Sequence, residues 1–290
     1  MPDHFAINGT VLPADQAKVS VLDLGFLRGV GAFESMPTYG GHPHALGEHL
    51  ARLWQSAAAF GIAPFFSERD VRRCIREIHR LSGHPELRVM IVVTPGEHTH
   101  GVFGHGAPTW VVIARDIHAP SAEAYAKGVS AVTFEAARNL PTLKTTNYLS
   151  GTAGLALAEK TGAHEAFYVS PEGYVSEGVT SNVLVIQGRR LMTPNQDCLP
   201  GITKAGVRIV AVELGLQWYE CRLTRDDLYT ADEVWITSAV REILPVVRVD
   251  DHQIADGKVG RWATSVRAAY RERCFAESLR DAQAEVDAHV

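Results

Sequence analysis

Three short stretches of the 290-residue chain carry side chains that chemistry can use. In the first, Asn139–Leu149, Lys144 stands in a mostly neutral run and Tyr148 follows it at the expected start of a helix. In the second, Val175–Asn182, the carboxylate of Glu177 enters a turn of small residues between two expected strands. In the third, Leu199–Thr203, a Pro-Gly pair precedes a helix whose first amides and positive dipole end suit a phosphate. Together they offer an amine, a carboxylate and an anion cradle. Singly, each has an ordinary structural reading: a solvated surface lysine, a turn carboxylate, a plain helix start with a threonine cap. Only the combination, in this order, points to function.

Positioning these groups requires a folded frame, and the hydrophobic spacing predicts one. Leu46, Leu50, Leu53, Ala57 and Phe60 recur at helical spacing over Leu46–Gly61, and Val71, Ile75 and Ile78 repeat the pattern over Ser67–Leu81. Ala32–Tyr39 reads as a strand turned at Gly40-Gly41, and two apolar runs at 87–94 and 109–115 have the length of buried strands. The order strand, helix, helix, strand, strand is an α+β unit, not an alternating nucleotide-binding sheet. A linker is expected at 116–126, where Pro120 and Ser121 interrupt the pattern. Beyond it, strands are expected at Val129–Phe134, Ala166–Val169, Tyr174-Val175, Asn182–Ile186, Leu191–Thr193 and Glu233–Ile236. Helices are expected through Gly154–Thr161, over Thr203–Leu214 and from Lys258 to about Arg280. The expected division is a small α+β domain over 1–115, the linker, and a large α/β domain over 127–290 that carries Lys144.

Composition excludes several classes. With 28 basic and 33 acidic side chains the formal charge is −5, and 46% of the residues are apolar, so neither nucleic-acid binding nor disorder fits. No apolar run approaches the ~20 residues of a membrane span, and no charged-then-apolar signal segment opens the chain, so a soluble, cytoplasmic protein is expected. Cys74, Cys198, Cys221 and Cys274 lie far apart, which indicates neither a disulfide framework nor a thiolate zinc site. His98, His100 and His105 cluster in a glycine-rich loop, and His42 and His44 lie elsewhere, without the partner residues of a metal motif. No metal is expected there; the loop reads as polar and near the active site or as merely exposed.

With these pieces in place the chain resembles the fold-type IV pyridoxal-phosphate enzymes, the class IV aminotransferase family. That family holds branched-chain and D-amino-acid aminotransferases, (R)-amine transaminases and aminodeoxychorismate lyases. The resemblance runs from about Val21 to Tyr270 and rests on six blocks in the family order: Asp23–Glu34, His49–Leu53, Lys144–Leu149, Glu177–Asn182, Leu199–Thr203 and Thr237–Val246. It implies a two-domain fold of the D-amino-acid aminotransferase type, assembled as a homodimer or higher homo-oligomer.

The resemblance also implies roles. Lys144 carries pyridoxal 5'-phosphate as a Schiff base and later moves the substrate proton, because a primary amine can form and exchange an imine. Glu177 matches the partner of the pyridine nitrogen, where a carboxylate keeps that nitrogen protonated. Tyr148 matches the residue that bonds the ring phenolate oxygen. Arg52, Ile202 and Thr203 match phosphate ligands; Ser238 and Ala239 match a second phosphate-side turn, and Ser181 and Asn182 line the same site. The reaction implied is ping-pong transamination between an amino acid and a 2-oxo acid.

The subgroup is less sharply marked. Glu34 after Phe33 matches aminotransferases where lyases carry threonine, and the 95–103 stretch lacks the lyase loop's arginine. The same stretch lacks the Arg-x-His pair of familiar D-amino-acid aminotransferases, and Ser35 and Pro37 replace the glycine and arginine common in branched-chain enzymes. Arg28, helped by Arg88, is expected to grip the substrate carboxylate across a dimer interface, with Phe33 and His100 as further substrate contacts. D-amino acids and branched-chain amino acids both stay open as substrates. An aminodeoxychorismate-type lyase and a catalytically silent cofactor- or metal-binding protein stand as alternatives.

Overall fold

Alternation builds the first sheet. In this computed structural model, which describes residues 3–98 and 106–287, the strands of the N-terminal part are β1 (His4–Ile7), β2 (Thr10–Pro13), β3 (Ala32–Tyr39), β4 (His42–Pro43), β5 (Leu87–Thr94) and β6 (Thr109–Asp116). The helices are α1 (Leu24–Arg28), α2 (Leu46–Ala58) and α3 (Glu68–Ser82). The strands form one antiparallel sheet in the order β2-β1-β6-β5-β3-β4. Leu87, Val89, Ile91 and Val93 are buried while Arg88 between them is exposed, the period-two signature of a sheet with one covered face. That face packs against Leu46, Leu50, Leu53 and Ala57 of α2 and Val71, Cys74, Ile75 and Ile78 of α3. Each such leucine or isoleucine contributes roughly 1.5–3 kcal/mol by leaving water. α3 starts at Ser67, whose side chain accepts from the Asp70 amide in a reciprocal capping box, and stops at Gly83 with φ 70°.

The second part comprises α4 (Ala122–Lys127), β7 (Val129–Glu135), α5 (Leu149–Thr161), β8 (Glu165–Val169), β9 (Tyr174–Gly178), β10 (Asn182–Gln187), β11 (Arg190–Pro194), α6 (Ile202–Glu213), β12 (Gln217–Cys221), β13 (Leu223–Thr224), α7 (Arg225–Tyr229), β14 (Glu233–Ser238), β15 (Glu242–Val249), β16 (His252–Gln253) and α8 (Arg261–Asp287). Its ten strands run β12-β11-β10-β14-β15-β7-β8-β9-β13, with β16 added to β15. Pairing is parallel at β11/β12, β15/β7 and β7/β8 and antiparallel elsewhere. Val183, Val185, Val234, Ile236, Leu244 and Val246 form the centre of its core.

By compactness the chain divides into two units. The first takes the chain through His118, then Leu143–Asn147, then the chain from Arg273 on; the second takes Ala119–Thr142 and Tyr148–Glu272. The stretch expected as a linker holds all but the last residue of α4, capped by the Ser121 hydroxyl on the Ala124 amide. The hairpin β1–β2 and the strands β12 and β15 were not signalled by the hydrophobic pattern. In β15 the reason is Pro245, which argues against a central strand; here it faces Trp235 and stands one residue before pairing with β7 begins at Val246. No helix among the described residues is long and apolar enough to cross a membrane.

Candidate active site

In the first unit the backbone places Lys144. The Phe33 amide donates to the Lys144 carbonyl (3.0 Å), Thr145 bridges to Ala32, and the Thr146 amide donates to the Gly31 carbonyl (2.9 Å). The Lys144 amide donates to the Ser56 hydroxyl at 3.0 Å, and that hydroxyl donates to the Arg52 carbonyl at 3.0 Å. The segment thus meets the start of β3 in a single antiparallel bridge, pinned on both sides of the lysine. Its amine lies 4.6 Å from the centre of the Phe33 ring.

One face of α2 supplies the rest. His49, Arg52 and Ser56 share a helical stripe, and all three are buried. Arg52 Nε and Nη2 donate to the two carboxylate oxygens of Glu34, each at 2.7 Å, and His49 Nδ1 lies 2.6 Å from Glu34 Oε2. Burial pushes the Glu34 pKa up, but the Arg52 and His49 hydrogen bonds and charges outweigh it and hold the group at about 2. Burial likewise pushes the His49 pKa down, against the pull of Glu34. An ionised carboxylate only accepts, so His49 Nδ1 carries the proton.

In the second unit Glu177, 3% exposed at the end of β9, is surrounded by donors. Arg138 Nη1 donates to Oε1, and the Leu199 amide (2.9 Å) and Asn182 Nδ2 (3.5 Å) donate to Oε2. Asn182 Nδ2 also donates to the Leu199 carbonyl at 2.9 Å, so both residues hold the peptide that leads into α6. Gly201, the N-cap of α6, has no side chain to cap the helix, and a Cβ there would stand 2.0 Å from Asn182 Oδ1. The amides at Ile202 and Thr203 are therefore left to the helix end itself, and Thr203 is buried. Thr237, paired across the strands with Asn182, has a buried hydroxyl with no hydrogen-bond partner among the described residues.

The turn after Glu177 is tight. The Gly178 amide donates to the Ser181 carbonyl at 2.8 Å, and a Cβ at Gly178 would stand 2.3 Å from Ser181 Oγ. The Ser181 and Thr180 hydroxyls donate to fully buried Glu165 at 2.9 and 2.6 Å, and Arg241 Nη1 joins the same oxygen at 3.1 Å. Tyr148 sits at the N-cap of α5. Burial raises its pKa, with Arg138 the leading charge that opposes the rise.

The residues expected from sequence fall into two groups by unit. Phe33, Arg52 and Lys144 come together in the first; Tyr148, Glu177, Ser181, Asn182, Ile202 and Thr203 gather around the start of α6 and the β9–β10 turn in the second. Ser238 ends β14 opposite Glu242, and Ala239 opens the turn that follows. Arg28 is exposed on the last turn of α1 and donates to its neighbour's carbonyl, Leu27 O, at 3.0 Å. Arg88 is exposed and donates to Ser35 Oγ at 3.1 Å. Neither joins the groups above. His100 and His105 lie outside the described residues, and no three histidine, cysteine or acidic side chains among the described residues group as metal ligands.

Sequence reasoning missed Arg138, His49, Ser56 and Glu165, and gave Glu34 no structural part. A signal existed for Glu34: it shares strand parity with Ala32, Met36 and Thr38, so its carboxylate faces the core and demands a cation. Arg138, six residues before Lys144, carries no such mark.

Against known proteins, residues 31–249 match the model of the amino-transferase class IV family. The D-alanine aminotransferase of Bacillus licheniformis is 31% identical over 280 residues, covering 94% of this chain and 98% of its own. The branched-chain-amino-acid aminotransferase of Escherichia coli K12 is 29% identical over 283 residues, 92% of each chain. A T.th. branched-chain amino acid aminotransferase, solved with pyridoxamine 5'-phosphate, superposes with a TM-score of 0.88 at 28% identity, covering 96% of this chain and 95% of its own. The fold, the order of the motifs and these likenesses agree: the chain belongs to the class IV aminotransferase family.

Proposed function

We propose that this protein is a pyridoxal-phosphate-dependent aminotransferase that moves an amino group between an amino acid, of D or branched-chain type, and a 2-oxo acid in ping-pong order. The observation that carries the proposal is Lys144, its peptide fastened by Phe33, Ser56 and Gly31–Thr146 bonds while its amine rests over an aromatic face. The residues fit the cofactor: an α6 start without a side-chain cap and the partnerless Thr237 hydroxyl suit a phosphate, and the buried, ionisable Glu177 suits a protonated ring nitrogen. Pyridoxal phosphate, when bound, supplies an aldehyde for the amine and a ring that takes up the electron pair left by deprotonation.

Lys144 Nζ would hold the cofactor and, when free, would serve as the base and acid that carries the proton of the substrate α-carbon. Glu177 would hold the ring-nitrogen proton, Tyr148 would donate to the ring phenolate oxygen, and Arg52, Ile202, Thr203, Ser238 and Ala239 would be the phosphate ligands. Ser181 and Asn182 shape the turn and the helix start on which these contacts depend. Phe33, Arg28, Arg88 and His100 are proposed to meet the substrate, with Arg28 acting from a second copy of the chain. Val19, Val21, Leu22, Phe26 and Leu27, which precede Arg28 in the chain, are exposed, Phe26 at 70%, which supports a homodimer formed there.

The test mixes the yellow holoenzyme with separate L- and D-amino acids and simple amines and follows the visible cofactor band. The band should bleach with amino acids of one type and return on adding a 2-oxo acid. A Lys144→Ala protein should never develop it. A wild-type protein that shows no such band with added cofactor would overturn the proposal.

A further inference from the structure

Arg138 lies at the meeting point of the groups proposed to flank the cofactor ring. Its Nη1 donates to Glu177 Oε1 and, at 3.4 Å, to the Pro141 carbonyl, which tethers the cation to the loop before Lys144. The arginine side chain is 17% exposed and the carboxylate side chain 4%, so the pair works largely away from solvent, where charge-assisted bonds are strong. The other carboxylate oxygen receives neutral donors, from Leu199 and Asn182. Arg138 is also the leading charge that opposes the effect of burial on Tyr148. On its other side Arg138 lines a cavity of about 210 Å³ together with Ala137, Pro141, Ser170, Ser176 and Arg222.

We infer that Arg138 is a positioning residue for the reaction: it aims Glu177 and limits how strongly that carboxylate holds the ring-nitrogen proton, and so sets the electron-withdrawing strength of the bound ring. The inference rests on the proposed role of Glu177. Its physical basis is competition. A carboxylate shared with a guanidinium is a weaker base than one bonded only to amides, so removing the cation strengthens Glu177 as a proton holder while leaving it free to turn. The same removal takes a positive charge away from the phenol of Tyr148. Both changes raise the proton affinity of the ring and its surroundings.

The cavity supplies a specific test. In Arg138→Ala, the space vacated by the guanidinium joins the cavity, so a small soluble guanidinium ion can reach Glu177. The variant is expected to bind cofactor, to lose at least tenfold in kcat with little change in KM because the freed Glu177 is no longer aimed, an effect that outweighs its greater basicity, and to titrate its visible band with a midpoint about one pH unit higher. Methylguanidinium at tens of millimolar should restore both kcat and the midpoint, whereas equal tetramethylammonium should restore neither. Arg138→Lys should fall between the two. A wild-type band titration in Arg138→Ala, or in Arg138→Lys and Arg138→Gln if the alanine protein does not fold, would overturn the inference, as would an equal response to both cations. A wild-type protein without a visible band would instead overturn the aminotransferase reading itself.

Discussion

In the first unit Glu34 is bound by an arginine, Arg52, across its two oxygens and by the His49 imidazole on one of them. In the second unit Glu177 has one oxygen on Arg138 and the other on a peptide amide and a side-chain amide. The first carboxylate is saturated and serves to orient its arginine. The second takes a guanidinium on one oxygen and neutral donors on the other, the arrangement on which its proposed role toward the cofactor ring rests. Two arginine–carboxylate pairs of similar burial thus differ in partners: one is a frame within the first unit, and the other is the pair to which the proposed reactive role falls.

If that contrast holds, Glu34→Ala should behave as the loss of a frame. Removing the carboxylate from between Arg52 and His49 should cost about 3–5 kcal/mol, read as a lowered unfolding midpoint of the cofactor-free protein. Glu177→Gln should behave oppositely, with kcat down by ~10²–10³ and KM nearly unchanged, because the loss falls on transition-state charge. A Glu177→Gln protein with wild-type kcat would erase the contrast.

Acid offers a test without substitution. His44 is buried against Cys274 Sγ (3.5 Å) and Ser278 Oγ (3.4 Å) of α8, and burial, with the His49 and Arg273 charges against that of Asp281, lowers its pKa from 6.5 to about 4. A depressed histidine contributes stability above its unfolded value that is lost as pH falls, here between about 6.5 and 4. Glu34, lowered from 4.5 to about 2, adds a second loss over that lower window. Each is worth about 3 kcal/mol. Stability should therefore fall from about pH 6.5, and His44→Phe should remove the upper limb; stability flat to pH 4 would contradict this. The smallest effect is expected for Ser56→Ala, about 1 kcal/mol from the half-buried Lys144 amide losing its Ser56 acceptor, read from the unfolding midpoint.

Much of the fold was legible because its pattern is local. The strand Ala32–Tyr39 and the helices α2 and α3 follow from side-chain period, and the Ser67–Asp70 box marks its own helix start. α2 ends earlier than its apolar spacing suggests, because Ala57 and Ala58 carbonyls are taken by Phe60 and Gly61 in a closing turn. β15 was not legible, since its proline is harmless only by virtue of where the neighbouring strand begins. A contiguous division of the chain also has no means of giving Leu143–Asn147 to the first unit, because that assignment comes from pairing with Gly31–Phe33 across more than a hundred residues.

By itself the sequence determined the chemical inventory: a lysine before a helix, a carboxylate in a small-residue turn, a helix start without a cap, and enough ordered blocks to mark the family. These are matters of residue type and spacing, which a linear reading can see. Only the tertiary structure decided which cation each buried carboxylate meets. Arg138 and Glu177 are far apart in sequence, as are Glu34 and Arg52, and the energy of a buried ion depends on what lies within a few ångströms of it, which no spacing along the chain records.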